Sequence, residues 1–258
     1  MKRALHIFTA TFLCLIIFLS ITVSAKTYNV SETDIGISID DSVWYVFTRD
    51  NIDNNPELNE LKITYHTMYD ILHDNNAYMD AILFYDDGGY IELFIRKNPV
   101  DSGMVNLSNY SDENVSLFAK QLAKKVNTKE FSTYKNQYKF ARLEYFDAKT
   151  NYYICEFFTV VNKEIYTLTF QATADFTDAE YKEITSIVDS IHFNVDATLK
   201  EKTTSIWDNV LIKTIIGAIS GAFVGGIVSL ITVSVTKKKK KAIRDNTVDS
   251  TDTSSDTL

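Results

Sequence analysis

The sequence predicts an α+β fold, an antiparallel sheet flanked by helices, followed by one C-terminal transmembrane helix. Three observations predict it. Segments dense in Val, Ile, Phe and Tyr follow one another across short connectors, which favours antiparallel pairing of neighbours. Other stretches repeat apolar residues at three- and four-residue steps, the helical period. Residues 210–235 form an apolar run closed by five lysines, long enough at ~20 residues per span to cross a bilayer.

Lys2 and Arg3 precede an apolar stretch at 7–23, and Val23-Ser24-Ala25 supplies small residues for cleavage. Residues 1–25 therefore read as a secretory signal peptide, with an extracellular domain at 26–193 after it. From 26 to 208 there are 17 Lys and Arg against 30 Asp and Glu, a net charge near −13. Such a surface repels phosphate backbones, so nucleic acid is excluded as a partner. Cys155 is the one cysteine left after signal cleavage, so no intrachain disulfide forms and stability must come from packing. The 15 Tyr and 16 Phe of the chain, against 2 Pro and 8 Gly, supply that packing.

In chain order, an extended piece surrounds Tyr28, and 35–39 alternates with Ile35, Ile37 and Ile39 on one face. Asp40-Asp41-Ser42 turns the chain into the β-prone 43–47. Pro56 starts a helix capped by Asn55, with Leu58 and Leu61 inward. A second helix over 64–73 has Tyr65, Met68, Tyr69 and Leu72 in its apolar stripe. Two strands, 78–85 and 90–96, join through Asp86-Asp87-Gly88-Gly89 as a hairpin. Asn98-Pro99 is expected to break the sheet, and 101–110 to be loop. Ser111 caps a helix over 112–126, with an acidic start and basic end that complement its dipole. Four strands then form a meander at 131–134, 138–146, 152–161 and 164–172. Cys155 shares a strand face with Tyr153, Phe157 and Val161, and reads as a buried, inert thiol. Thr177 and Glu180 form a capping box for a last helix over 178–190.

Residues 194–208 read as a polar stalk, 209–236 as the transmembrane helix and 237–258 as a basic stop-transfer and disordered tail. Because Lys gathers on the cytoplasmic side, Lys237, Lys238, Lys239, Lys240 and Lys241 set the tail inside and the domain outside. They are also placed to meet lipid headgroups, at ~1 kcal/mol per basic residue. Gly217, Gly221 and Gly225 recur every four residues, with Ala218, Ala222 and Gly226 beside them, a groove for close helix association and homo-oligomer formation.

The stretches WYVFTRD at 44–50, YTLTF at 166–170 and EYKEITSIVDSIHF at 180–193, set in this order of elements, resemble the PsbP-like fold, in particular membrane-anchored proteins of Gram-positive anaerobes. The short strand pair at 37–40 and 44–50 belongs to that likeness, although Asp41-Ser42-Val43 stands where a Pro or Gly turn is expected. The resemblance implies a sheet sandwiched by helices in a group with binding and assembly roles.

For catalysis the sequence offers little. His66, Asp70, His73 and Asp74 share a helix face suited to a metal ion, but a solvated face is the commoner meaning. No G-x-S-x-G turn is present, and His192 sits at a helix end, where capping outweighs general-base work. Carboxylate pairs such as Asp86-Asp87 read as surface turns. The expectation is a non-catalytic membrane-anchored binding domain with no cofactor or metal. Its expected partners are membrane lipid and a protein or envelope ligand. The alternatives are an assembly or signalling subunit acting through the glycine-lined helix, and an envelope enzyme marked by a concave pocket with convergent polar groups.

Overall fold

The computed structural model describes residues 25–100 and 104–195. Residues 1–24 of the expected signal peptide, the expected 209–236 span with Gly217, Gly221 and Gly225, and Lys237 to Lys241 lie outside them. Among the described residues no helix is long and apolar enough to cross a membrane.

The chain runs β1 (Lys26–Asn29), β2 (Ile35–Ile39), β3 (Trp44–Thr48), α1 (Pro56–Leu61), α2 (Tyr65–Asp74), β4 (Ala77–Phe84) and β5 (Tyr90–Pro99). A short 3-10 turn at Leu107–Asn109 precedes α3 (Asp112–Lys125), β6 (Glu130–Lys135), β7 (Lys139–Asp147), β8 (Tyr152–Val161), β9 (Glu164–Ala172), α4 (Asp178–Asp189) and β10 (His192–Phe193). Seven strands form one sheet in the order β3-β4-β5-β9-β8-β7-β6, every pair antiparallel, and β1-β2-β10 form a second.

Alternation within the strands assigns the faces. One face of the large sheet presents Val46, Ala81, Leu93, Phe157 and Phe170 to Ile35, Ile37 and Ile39 of β2 and to Ile184 and Val188 of α4. The other face carries two separate apolar clusters. Tyr45, Phe47, Ile82 and Phe94 pack with Leu58, Met68 and Leu72 of α1 and α2. Leu143, Phe158 and Val160 pack with Phe118 and Leu122 of α3.

The meander β6 to β9 stands as the sequence predicts, with β8 and β9 at the expected residues. Asn162 and Lys163, both at positive φ (51° and 64°), form their two-residue turn, whose left-handed backbone matches the strand twist. The capping box at Thr177 and Glu180 is present, with the Thr177 N–H donating to Glu180 Oε2 at 2.6 Å.

Four expectations are corrected. β2 and β3 do not pair: the N–H groups of Val43 and Trp44 both donate to the Asp40 carbonyl, and the Asp40 carboxylate accepts from Ser42. This turn passes the chain from the small sheet to the large one. β5 runs past its expected end at 96 and stops at Pro99, which pairs opposite Glu164 at the strand terminus, where a missing N–H is tolerated. Tyr65 and Tyr69 are exposed at 38% and 40%, and α2 buries Ile71 beside the expected Met68 and Leu72. His192 is a strand residue, paired with Gly36.

That last pairing carries a prediction. A Cβ built on Gly36 would lie 2.0 Å from His192 Cε1, so the imidazole occupies the space of a missing side chain. Gly36→Ala should destabilise the domain by about 1–3 kcal/mol, the usual range for overpacking. In a His192→Ala background the same change should cost much less in denaturant unfolding. Equal costs in both backgrounds would show that the ring is not the obstacle.

Candidate functional site

Between the two helix-covered clusters, the large sheet carries polar side chains on its middle strands. Asp80, Glu92 and Glu156 are 0%, 0% and 2% exposed, and Thr169 and Gln171 are buried beside them. Register brings them together: Glu92 lies opposite Gln171, and Thr169 opposite Glu156. Gln171 Nε2 donates to Glu92 Oε2 at 2.6 Å, and Thr169 Oγ1 to Glu156 Oε1 at 3.0 Å. Arg96 enters this stripe from β5, donating from Nε to the Asn75 carbonyl and from Nη1 to Thr169 Oγ1. Among the described residues neither Asp80 oxygen has a hydrogen-bond partner. Burial pushes the Asp80 carboxyl well above the usual carboxylate range, and neighbouring Glu92 pushes it further. Burial likewise raises Glu156, against the pull of Arg96. The stripe is thus a buried polar core in which burial works against the ionised forms of Asp80 and Glu156 while Arg96 works for them.

Tyr145, bonded to Glu156, links the stripe to a neighbouring cleft. β6 begins at Glu130, opposite Glu144, while β7 runs on to Asp147, so Tyr145–Asp147 of β7 overhangs its neighbour. At this step in the sheet lies a cleft of about 470 Å3, bounded by the segment from Val126 to Glu130, the ends of β7 and β8, and the Asp175 to Tyr181 entry to α4. Its walls are aromatic: Phe146 and Tyr153 lie with ring centroids 5.0 Å apart, Phe176 and Tyr181 with centroids 5.6 Å apart. Its charges are Glu130, Glu144 and Asp175 against Lys129.

Two phenols tie the cleft down. Tyr145 donates to Glu156 Oε2 at 3.0 Å, and Tyr181 donates to Glu144 Oε2. Burial first, and the adjoining carboxylate second, keep both phenols protonated far above neutral pH. Arg142 holds Glu144 from the other side at 2.6 Å, with its guanidinium 5.0 Å from the Tyr181 ring. The lining contains no His, Cys or Ser; its one aliphatic hydroxyl, Thr128 Oγ1, donates to the Glu144 carbonyl at 2.8 Å.

Cys155, behind this cluster, is fully buried, and desolvation pushes its thiol up to about 12 despite Arg142 nearby. A thiol–disulfide reagent at pH 8 should label it in the native protein only at the rate of unfolding, and at once in denaturant. Rapid native labelling would contradict the burial.

The residues suggested for a metal stay apart from this site. His66, Asp70, His73 and Asp74 lie on α2, where His73 stacks on Tyr69 with centroids 4.0 Å apart. Among the described residues no group of three or more His, Cys, Asp or Glu is placed to hold a metal ion. Sequence reading missed both the stripe and the cleft. A signal for the stripe existed: one acid in each otherwise apolar strand, as in YMDAILFY, YIELFIR and YICEFFTVV. A strand buried on both faces buries its acid too.

No family model matches the chain, and no curated protein matches it in sequence. Among solved structures it is similar to cyanobacterial PsbP (CyanoP) from Synechocystis sp. PCC 6803, a solution structure, with 11% identity and a TM-score of 0.38. That match covers 67% of this chain and 95% of the other.

Proposed function

We propose that the chain is a membrane-tethered, extracellular binding protein of a bacterial surface, built on a PsbP-like domain, whose cleft recognises a ligand without transforming it. A cleft with polar groups is the feature expected of the rival enzyme reading; what carries the binding reading is the state of those groups. Tyr145 and Tyr181 are fixed as donors to Glu156 and Glu144 and stay protonated, which suits recognition better than proton transfer. The signal peptide at 1–25, the span at 209–236 and the lysines after it support the placement outside the cell. Association through Gly217, Gly221 and Gly225 would add self-assembly within the membrane, and Gly221→Ile should then abolish crosslinked dimers.

The test is proximity labelling on intact cells with the full chain and with Phe146→Ala, a half-exposed cleft residue (48%) whose loss spares the core. Neighbours labelled by the native chain should be lost by the variant, while protease added outside should remove the domain and spare a tail epitope. Identical neighbour sets, or a protected domain, would overturn the proposal.

A further inference from the structure

The two edges of the large sheet are treated differently. At the β3 edge, Glu57 Oε2 accepts the Val46 N–H at 3.1 Å, Asn51 Oδ1 accepts the Thr48 N–H at 2.7 Å, and Asn51 Nδ2 donates to the Val46 carbonyl at 3.0 Å. Side chains seal that edge against further pairing. At the other edge, among the described residues, β6 pairs with β7 alone, and four of its six residues are exposed.

The hydrogen bonds of the hairpin show which β6 groups face outward. Lys139 gives its N–H to Ser108 Oγ and receives Thr159 Oγ1 on its carbonyl, so it does not bond Lys135 opposite. Lys135 therefore sits in a non-hydrogen-bonded pair, and by alternation the backbone of Phe131, Thr133 and Lys135 points away from the sheet. The Glu130 end of this open row abuts the cleft.

Resting on the reading of the domain as a binding module, we infer that its ligand is an extended polypeptide segment of a partner protein, added antiparallel to β6, with a Lys or Arg near its C-terminal end seated in the cleft. The backbone row supplies the pairing, as in strand addition generally. The cleft selects the side chain, because Glu144 is already held by Arg142 while Glu130 and Asp175 still outnumber Lys129, and the aromatic walls suit a cation with an apolar stem. The acidic domain, near −13, favours the same sign of partner.

The test selects a random heptapeptide library against the full chain in nanodiscs. Enriched peptides should carry Lys or Arg toward the C-terminal end, and Thr133→Pro should weaken them by about tenfold or more, the loss of a bonded donor and its register. Proline is tolerated where an edge N–H faces solvent, so thermal unfolding of Thr133→Pro should match the native chain. If that variant fails to fold, single N-methylation along the peptide backbone tests the same bonds with the protein unaltered. Glu130→Lys with Asp175→Lys should reverse the preference toward acidic peptides. Enriched peptides that are neutral or acidic, or indifferent to both backbone changes, overturn the inference. A Thr133→Cys disulfide dimer forming in native membranes also overturns it, since the occupant is then a second copy. Failure to enrich any peptide, with Phe146-dependent neighbours still captured, rejects the peptide while leaving the binding reading intact.

Discussion

Trp44→Ala should lower the stability of the domain by roughly 3–5 kcal/mol, the range for truncating a large aromatic in a packed core. Trp44 opens β3, is 0% exposed and belongs to the cluster between the two sheets. Its indole N–H donates to Glu183 Oε1 at 3.1 Å, joining β3 to α4 across 139 residues of chain. Truncation therefore does two things: it opens a cavity, and it removes the donor that stabilises a part-buried carboxylate. Burial raises the Glu183 carboxyl and the Trp44 bond opposes that rise, so the variant should hold its proton to higher pH. Trp44→Phe keeps a six-membered ring but loses the donor and part of the indole volume, and should cost about 1–3 kcal/mol, less than the alanine variant. Urea unfolding of the three proteins separates the two terms. A Trp44→Ala midpoint close to the native one would mean that the two sheets are not joined through this residue.

Local patterns in the sequence determined strands and caps well and partners poorly. β8 and β9 are legible because their apolar runs are long and a two-residue turn leaves a single geometry. The α4 start is legible because Thr177 and Glu180 satisfy each other within one turn. The separation of β2 from β3 is not legible, because alternation assigns a face and never a neighbour. Asp40 settles the matter through bonds to Ser42, Val43 and Trp44 that depend on the sheets already being apart. The same limit hid the cleft, which exists only because β7 outruns β6 and α4 begins nearby. Asp80, Glu92 and Glu156 were hidden differently: in an acidic domain an acid is ordinarily solvated, and only burial of both sheet faces reverses that. The open β6 edge has no sequence signature, since its meaning lies in contrast with the sealed edge at β3.

Arg96→Met is expected to destabilise the domain by roughly 3–5 kcal/mol at pH 7, the range for removing one member of a buried charged set. Arg96 is the cation set among Asp80, Glu92 and Glu156, and it lowers both Asp80 and Glu156 against the burial that raises them. The sign of the pH dependence follows from those directions. A carboxyl raised in the folded state contributes stability that is fully present below the ordinary carboxylate value of about 4 and is lost as pH climbs to the raised value. The native domain should therefore gain stability on acidification from neutral pH toward pH about 4. Without Arg96 the folded-state carboxyls rise further, so the loss extends to higher pH and becomes larger. Below pH about 4 the acids are protonated in both folded and unfolded chains, and the difference between native and variant should shrink to the lost bonds to Asn75 and Thr169. Unfolding free energies measured from pH 4 to pH 8 give the comparison directly. A gap between the two proteins that stays constant with pH would mean that Arg96 serves the sheet through packing alone, and that the buried acids do not depend on its charge.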